Sequence, residues 1–160
     1  MSKPMALVVE DIVDLGSDVR VHLEQKGYAV QQFEEFRPLL KWLKQNPSHE
    51  VSVLVSDLYD SKYSGSSLYL KNDVADAMLR VEDIESFHRQ YPDVLIVIFS
   101  LAANLATTPE GAPEIKKIFD KLERIGIPVA HIIPKLGRNQ EGFPAGFKLL
   151  DQVIPSKKGS

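Results

Sequence analysis

The chain has 160 residues, 44% of them hydrophobic and 26% charged, which is typical of one globular domain with a sizeable core. It contains no cysteine, which excludes disulfides, thiolate metal sites and a cysteine nucleophile. The net charge of −3, with both signs interspersed, gives no footprint for nucleic acid, and no apolar run is long enough to cross a bilayer. We therefore expect a cytoplasmic domain over residues 1–155 and a polar tail over residues 156–160.

Strands and helices are predicted to alternate along the chain. Short β-branched or apolar runs indicate strands, whereas apolar residues three or four positions apart indicate helices. The strands are expected at residues 6–9, 28–33, 51–56, 94–99 and 129–133. The helices are expected between Asp14, a potential cap, and Gly27, from Phe36 to Asn46, from Val74 to Pro92, from Pro113 to Gly126 and from Pro144 to Val153. Few hairpin signals occur, so the pattern predicts one parallel sheet with helices on both faces.

Polar side chains follow four of the predicted strands. Glu10 and Asp11 follow the first strand, Asp57 the third, Ser100 the fourth and Lys135 the fifth. An isolated aspartate at a strand end is equally consistent with a turn residue. Parallel strands, however, present their carboxyl ends at one edge, so we expect these side chains to meet there.

Such an edge would collect three carboxylates that repel one another. A hard divalent cation with oxygen ligands, Mg²⁺ most obviously, relieves this repulsion. Lys135 has the charge to hold an incoming anion, and Ser100 can donate a hydrogen bond to it. The set therefore predicts a site at which a phosphoryl group is transferred onto Asp57.

The order of these motifs resembles that of two-component response-regulator receiver domains. Leu7–Asp11 is similar to the acidic first-strand motif of that family, and Val53–Asp57 is similar to its phospho-acceptor strand. Ile96–Ser100 resembles the strand that ends in Ser or Thr, and Ile132–Lys135 the strand that ends in Lys. The resemblance implies an α/β, flavodoxin-like (βα)5 fold. This is a doubly wound parallel sheet with strand order 2-1-3-4-5, here with enlarged loops after strands 3 and 4.

The resemblance also implies a role for each of the polar residues. Asp57 would be the phosphorylated residue. It would bind Mg²⁺ together with Glu10, Asp11 and the backbone carbonyl of Tyr59. Ser100 and Lys135 would each contact a phosphoryl oxygen, and Ser100 would move upon phosphorylation.

The partners that the resemblance implies are proteins. A histidine kinase or a histidine phosphotransfer protein would donate the phosphoryl group, and a downstream output protein would receive the signal. A homodimer through the face formed by helix 4, strand 5 and helix 5 is a further expectation. No partner among nucleic acids or membranes is expected. We expect no enzymatic activity beyond Mg²⁺-dependent self-phosphorylation from a phosphodonor and autodephosphorylation.

Several residues depart from the pattern of the family. Leu101 stands where a small residue is usual, the proline of Pro134-Lys135 precedes the lysine instead of following it, and Ile132 replaces an aromatic switch residue. The loops over residues 58–72 and 101–111 are longer than usual, which favours a role in docking or as a lid. These departures leave open a second function, a pseudo-receiver interaction module that works without phosphorylation.

A metal-dependent phosphohydrolase with Asp57 as its nucleophile is a third class. Hydrolases of the haloacid-dehalogenase type carry an Asp-x-Asp pair after their first strand. Asp57 and Asp60 have a different spacing and follow the third predicted strand, so the sequence disfavours this class.

Overall fold

The computed structural model describes residues 3–58, 71–100, 112–135, 139–140 and 142–157; for residues 71–76 and 112–115 it describes the backbone alone. Strands and helices alternate through these ranges, as predicted. The strands are β1 (Met5–Val9), β2 (Ala29–Phe33), β3 (Val51–Ser56), β4 (Leu95–Ser100) and β5 (Ile132–Pro134). The helices are α1 (Val13–Gln25), α2 (Phe36–Gln45), α3 (Lys71–Gln90), α4 (Ala112–Arg124) and α5 (Pro144–Val153).

The five strands form one parallel sheet in the order β2-β1-β3-β4-β5, which confirms the predicted order. Val9 at the end of β1 pairs with Ser56 at the end of β3, and Ser100 at the end of β4 pairs with Pro134 in β5. Ser56 at the end of β3 pairs with Ile98, so β4 runs two residues beyond β3. This register sets the residues that follow β1, β3 and β5, and the last residue of β4, along a single edge. Most of the enlarged loops expected after β3 and β4 lies outside the described residues, and residues 71–72 of the first expected loop belong to α3.

Helices cover the sheet on both faces, as predicted for a doubly wound fold. Successive residues of a strand point to opposite faces, so Leu7 and Val9 pack with α2, α3 and α4, whereas Ala6 and Val8 pack with α1 and α5. Because both faces are covered, β1 is apolar and buried along its whole length. None of the helices in the described part of the chain has the length and apolar character needed to span a bilayer.

Several boundaries differ from the prediction by a few residues; α3, for example, begins at Lys71 and not at Val74. Two differences have an identifiable cause. Val129–His131 forms a 3-10 turn in place of the first half of the expected fifth strand, because the carbonyl of Pro128 accepts the N–H of His131 at 2.9 Å. A short apolar run does not reveal this turn, since its periodicity matches that of a strand. The expectation that Asp14 caps α1 is also wrong. Ile12 occupies the cap position without a side-chain hydrogen bond. Asp14 lies in the first turn, where its negative charge interacts favourably with the positive end of the helix dipole.

Hydrogen bonds connect the C-terminal part of the chain to α1 and to the turn that follows α1. The hydroxyl of Tyr28 donates a hydrogen bond to the carbonyl of Pro155 at 2.8 Å. Asp151 of α5 forms hydrogen bonds of 2.8 Å with Lys26 and with His22. Burial alone would raise the pKa of Asp151, but these hydrogen bonds outweigh it and lower the pKa below its usual value. The first and last helices are thereby held together.

The end of α1 is a Schellman motif that depends on Gly27. This glycine has φ of +101°, its N–H donates to the carbonyl of Glu24 at 3.1 Å, and the N–H of Tyr28 donates to the carbonyl of Leu23 at 3.2 Å. We expect Gly27→Ala to lower the free energy of unfolding by about 1 kcal/mol, because an L-residue is strained at this φ. Urea unfolding followed by circular dichroism measures the change. Gly27→Asn should lose less, and an unchanged midpoint for Gly27→Ala would contradict the motif.

Candidate functional site

Asp57 directly follows β3 and is almost completely buried, with 1% of its surface exposed. Its N–H donates to the carbonyl of Val9 at 3.0 Å, which extends the pairing between β1 and β3 by one residue. Its Oδ2 accepts a hydrogen bond from the backbone N–H of Asp11 at 3.0 Å. Its Oδ1 accepts a hydrogen bond from Nε of Arg80 at 2.9 Å. Donors inside the protein therefore stabilise the negative charge on both oxygens of this carboxylate.

Glu10, Asp11 and Asp57 form one acidic cluster at the edge of the sheet. One carboxylate oxygen from each of them lies within 4.8 Å of the others. Glu10 and Asp57 are buried, and Asp11 is partly exposed. The structure thus brings together the three carboxylates that were predicted from the ends of two strands, β1 and β3. Their oxygens are of the kind that hard divalent cations prefer as ligands.

Arg80 on α3 is fully buried and reaches across to the segment between β2 and α2. Besides its hydrogen bond with Asp57, its Nη1 donates to Oε2 of Glu35 at 3.1 Å, and its Nη2 donates to the carbonyl of Glu34 at 3.1 Å. The guanidinium carbon lies 5.6 Å from the centroid of the Phe36 ring. The planar guanidinium fork suits this arrangement, because it offers several donors in fixed directions. Arg80 therefore links the acidic cluster to the start of α2.

The sequence interpretation did not single out Arg80, although a signal for it exists. The buried face of α3 is otherwise apolar and includes Ala77, Val81, Ile84 and Phe87. Arg80 falls on this face, three residues after Ala77 and four before Ile84. An arginine among helically spaced core residues is almost never fully buried unless it is paired. The spacing thus indicates a buried anion opposite α3.

Lys135 and Ser100 lie at the same edge, as predicted. Lys135 directly follows β5, is buried, and forms an ion pair with Oε1 of Glu10. Its ammonium group also lies 5.8 Å from the centroid of the Phe99 ring. Its backbone N–H donates to the carbonyl of Ser100 at 3.4 Å, and Ser100 is fully buried at the end of β4. The ends of β1, β3, β4 and β5 therefore all contribute to one site.

The balance of charge at this site favours a cation. Arg80 and Lys135 bring two positive charges against the three carboxylates of the cluster, and Arg80 also pairs with Glu35. These side chains together keep a net negative charge. A divalent cation would lower the repulsion among the carboxylates, so the residues fit such an ion in charge and in donor type.

Negative charge also extends along α3 beyond Arg80. Burial raises the pKa of Asp83, which follows Arg80 by three residues. The positive charge of Arg80 opposes this rise in the pKa, while the carboxylates of Glu35 and Glu82 add to it. Arg80 is therefore surrounded by more than one potential anion.

Some of the predicted features lie outside the described residues. These are Tyr59, whose carbonyl was expected to bind the cation, Leu101, and most of the two long loops. Ile132 is buried in β5 and has no ring to act as an aromatic switch. Pro134 ends β5 just before Lys135, and no cis peptide bond occurs in the residues that the structure describes.

The buried ion pair between Lys135 and Glu10 yields a prediction about stability. We expect Lys135→Met to lower the free energy of unfolding by about 3 kcal/mol or more, because it leaves the charge of Glu10 buried without this partner. The double variant Lys135→Met with Glu10→Gln should regain a large part of that loss. Urea unfolding at neutral pH measures both effects. Lys148→Met, which removes an exposed lysine side chain from α5, is the control. An equal loss of unfolding free energy in Lys135→Met and Lys148→Met would contradict a stabilising ion pair between Lys135 and Glu10.

No protein-family model and no curated protein matches this sequence. Solved structures of response regulators do match it in fold. A response regulator from Thermotoga maritima is 15% identical with a TM-score of 0.59, over 97% of this chain and 100% of that one. A Burkholderia pseudomallei response regulator that holds a phosphorylated aspartic acid, a calcium ion and citrate is 16% identical with a TM-score of 0.54, over 95% of this chain and 67% of the other.

An atypical orphan response regulator, described as having a phosphorylation-independent regulatory mechanism, also matches. It is 11% identical with a TM-score of 0.55, and the match covers 93% of each chain. Likeness at these identities concerns the fold. The chain therefore has the fold of a response-regulator receiver domain, as its strand-end motifs predicted.

Proposed function

We propose that this chain, over residues 1–155, is the receiver domain of a two-component phosphorelay, that it accepts a phosphoryl group on Asp57, and that it signals through protein–protein contacts. The observation that carries this proposal is the buried cluster of Glu10, Asp11 and Asp57 at the carboxyl edge of a receiver-type sheet. Ser100 and Lys135 at the same edge support it.

In the proposed reaction, an oxygen of the Asp57 carboxylate forms a bond with the phosphorus of the donor. The bond from phosphorus to the donor's nitrogen or oxygen breaks, and the leaving group keeps the electron pair; a histidine nitrogen then takes up a proton, whereas acetate leaves acetyl phosphate as the anion. The product is an acyl phosphate on Asp57. Lys135 would pair with one phosphoryl oxygen, and Ser100 would donate a hydrogen bond to another. Movement of Ser100 toward the new charge would then change the surface around β4 and β5.

Mg²⁺ is the proposed cofactor. Glu10, Asp11 and Asp57 would hold it, together with the backbone carbonyl of Tyr59. When bound, the ion neutralises negative charge on the oxygens of the carboxylate and the phosphoryl group. The Burkholderia pseudomallei structure contains a phosphorylated aspartic acid and a calcium ion, which supports a divalent cation as the cofactor of the proposed reaction.

The proposed partners follow from the phosphorelay. A histidine kinase or a histidine phosphotransfer protein would donate the phosphoryl group in the cytoplasm, and a downstream output protein would bind the phosphorylated form. A homodimer would use the face formed by α4, β5 and α5. The exposed side chain of Val129, just before β5, supports a contact surface there.

One specific observation favours a second function. Both oxygens of Asp57 already accept hydrogen bonds, one of them from the buried guanidinium of Arg80. In a pseudo-receiver, the ion pair between Arg80 and Asp57 would be a permanent part of the core, and the domain would bind its partners without phosphorylation. The fold is also shared with an atypical orphan response regulator whose described mechanism is phosphorylation-independent.

Incubation with Mg²⁺ and acetyl phosphate, followed by intact mass spectrometry, tests the leading proposal. We expect the wild type to gain the mass of one phosphoryl group and Asp57→Asn to gain none, because the amide is not a nucleophile. Asp93→Asn, which changes an exposed aspartate before β4, is the matched control and should still gain the group.

The same experiment separates the alternatives. A wild type that gains no phosphoryl group from acetyl phosphate, and no adduct with beryllofluoride, would favour the pseudo-receiver. An adduct that persists in Asp57→Asn would place the acceptor elsewhere. Steady turnover of phosphate esters would favour the hydrolase.

A further inference from the structure

We propose that Arg80 is a resident cation of the acidic cluster, that it competes with the divalent cation for the carboxylate of Asp57, and that Glu35 holds Arg80 when it is displaced. This inference rests on the proposed function, since it concerns the same carboxylate. It assigns a role to two residues, Arg80 and Glu35, that the phosphoryl-transfer proposal does not use.

The competition follows from the position of the guanidinium group. Nε of Arg80 lies 2.9 Å from Oδ1 of Asp57, and the Asp57 carboxylate also belongs to the cluster in which the oxygens of Glu10, Asp11 and Asp57 lie within 4.8 Å of one another. A divalent cation held by this cluster would share Asp57 with a unit positive charge at hydrogen-bond distance. Repulsion between two cations on one buried carboxylate is strong, because little solvent screens it. The binding of one therefore weakens the binding of the other.

Displacement of Arg80 requires another anion within reach. A buried guanidinium that loses its only counter-ion is strongly disfavoured. The contacts of Arg80 besides Asp57, however, include two hydrogen bonds: Nη1 donates to the carboxylate of Glu35 and Nη2 donates to the carbonyl of Glu34, each at 3.1 Å. Both acceptors lie between β2 and α2, and they can keep the guanidinium satisfied after it leaves Asp57. The two contacts thus make the exchange of Arg80 for a metal ion feasible.

The location of Glu35 connects this exchange with the surface. Its side chain is 47% exposed, whereas Asp57 and Arg80 are buried. A change in the occupancy of Asp57 would therefore alter the ion pair that Glu35 makes at the start of α2. The resting state would keep the affinity for the divalent cation low until Arg80 is released.

Calorimetric titration of Mg²⁺ into the protein without any phosphodonor tests the proposal. We expect the dissociation constant of Arg80→Gln to fall by about tenfold or more relative to the wild type, because a competing unit charge is removed. Arg89→Gln, which removes the same charge from an exposed position on α3, is the matched control and should change the constant little. A dissociation constant for Arg80→Gln that equals or exceeds that of the wild type would overturn the proposal.

A second pair of variants keeps the test valid if Arg80→Gln fails to fold. Glu35→Gln removes the anion that would hold the displaced arginine. Glu34→Gln removes the exposed carboxylate of the neighbouring residue and keeps its backbone carbonyl, which is the group that contacts Arg80. The change in net charge is the same. We expect Glu35→Gln to weaken Mg²⁺ binding by several-fold more than Glu34→Gln does. Equal effects of the two variants would overturn the proposal.

Failure of this inference and failure of the proposed function are distinguishable. Phosphorylation of the wild type with equal Mg²⁺ affinities of the wild type and Arg80→Gln would overturn the role of Arg80 and leave the receiver function intact. Tighter Mg²⁺ binding by Arg80→Gln without phosphorylation of any variant would support the competition and contradict the receiver function.

Discussion

The charge of Asp57 must be balanced inside the protein, because this carboxylate follows a strand that is covered on both faces and almost no solvent reaches it. The parallel register makes the problem larger, since it sets Glu10 and Asp11 beside Asp57. Two buried side-chain cations, which come from different elements of the fold, balance these negative charges. Arg80 comes from α3 and pairs with Asp57, and Lys135 comes from the end of β5 and pairs with Glu10. The arrangement of the whole edge depends on these two ion pairs.

Such pairs stabilise the fold and restrict the chemistry at the same time. Removal of one member of a buried pair commonly costs about 3–5 kcal/mol, so the resting state holds its partners firmly. Any ligand of the carboxylates must therefore offer a replacement for each contact it breaks. A divalent cation offers charge to the acids, and Glu35 offers an anion to Arg80. Whether the domain works as a receiver or as a pseudo-receiver thus depends on which cation, Arg80 or the divalent metal ion, binds the carboxylate of Asp57 more tightly.

Much of the fold and of the site could be predicted from the sequence, because both follow from short-range patterns. Apolar runs and helical spacing predicted the alternating elements, and polar residues at strand ends predicted that Asp57 and Lys135 share one edge. Helical spacing could have placed Arg80 on the buried face of α3, but its partner Asp57 could not be predicted, because the contact between α3 and the end of β3 is contained in no local pattern. The short fifth strand was overextended for a similar reason, since the turn that begins at Pro128 depends on a backbone hydrogen bond and not on side-chain periodicity.

A crystal structure of the wild type with Mg²⁺ and beryllofluoride tests the competition between Arg80 and the divalent cation through one distance. In the resting protein, Nε of Arg80 lies 2.9 Å from Oδ1 of Asp57. With the cation and the phosphoryl mimic bound, this distance should exceed about 3.5 Å, the outer limit of a hydrogen bond, and Arg80 should retain Glu35 as its counter-ion. A bound cation and an unchanged hydrogen bond between Arg80 and Asp57 would contradict the account.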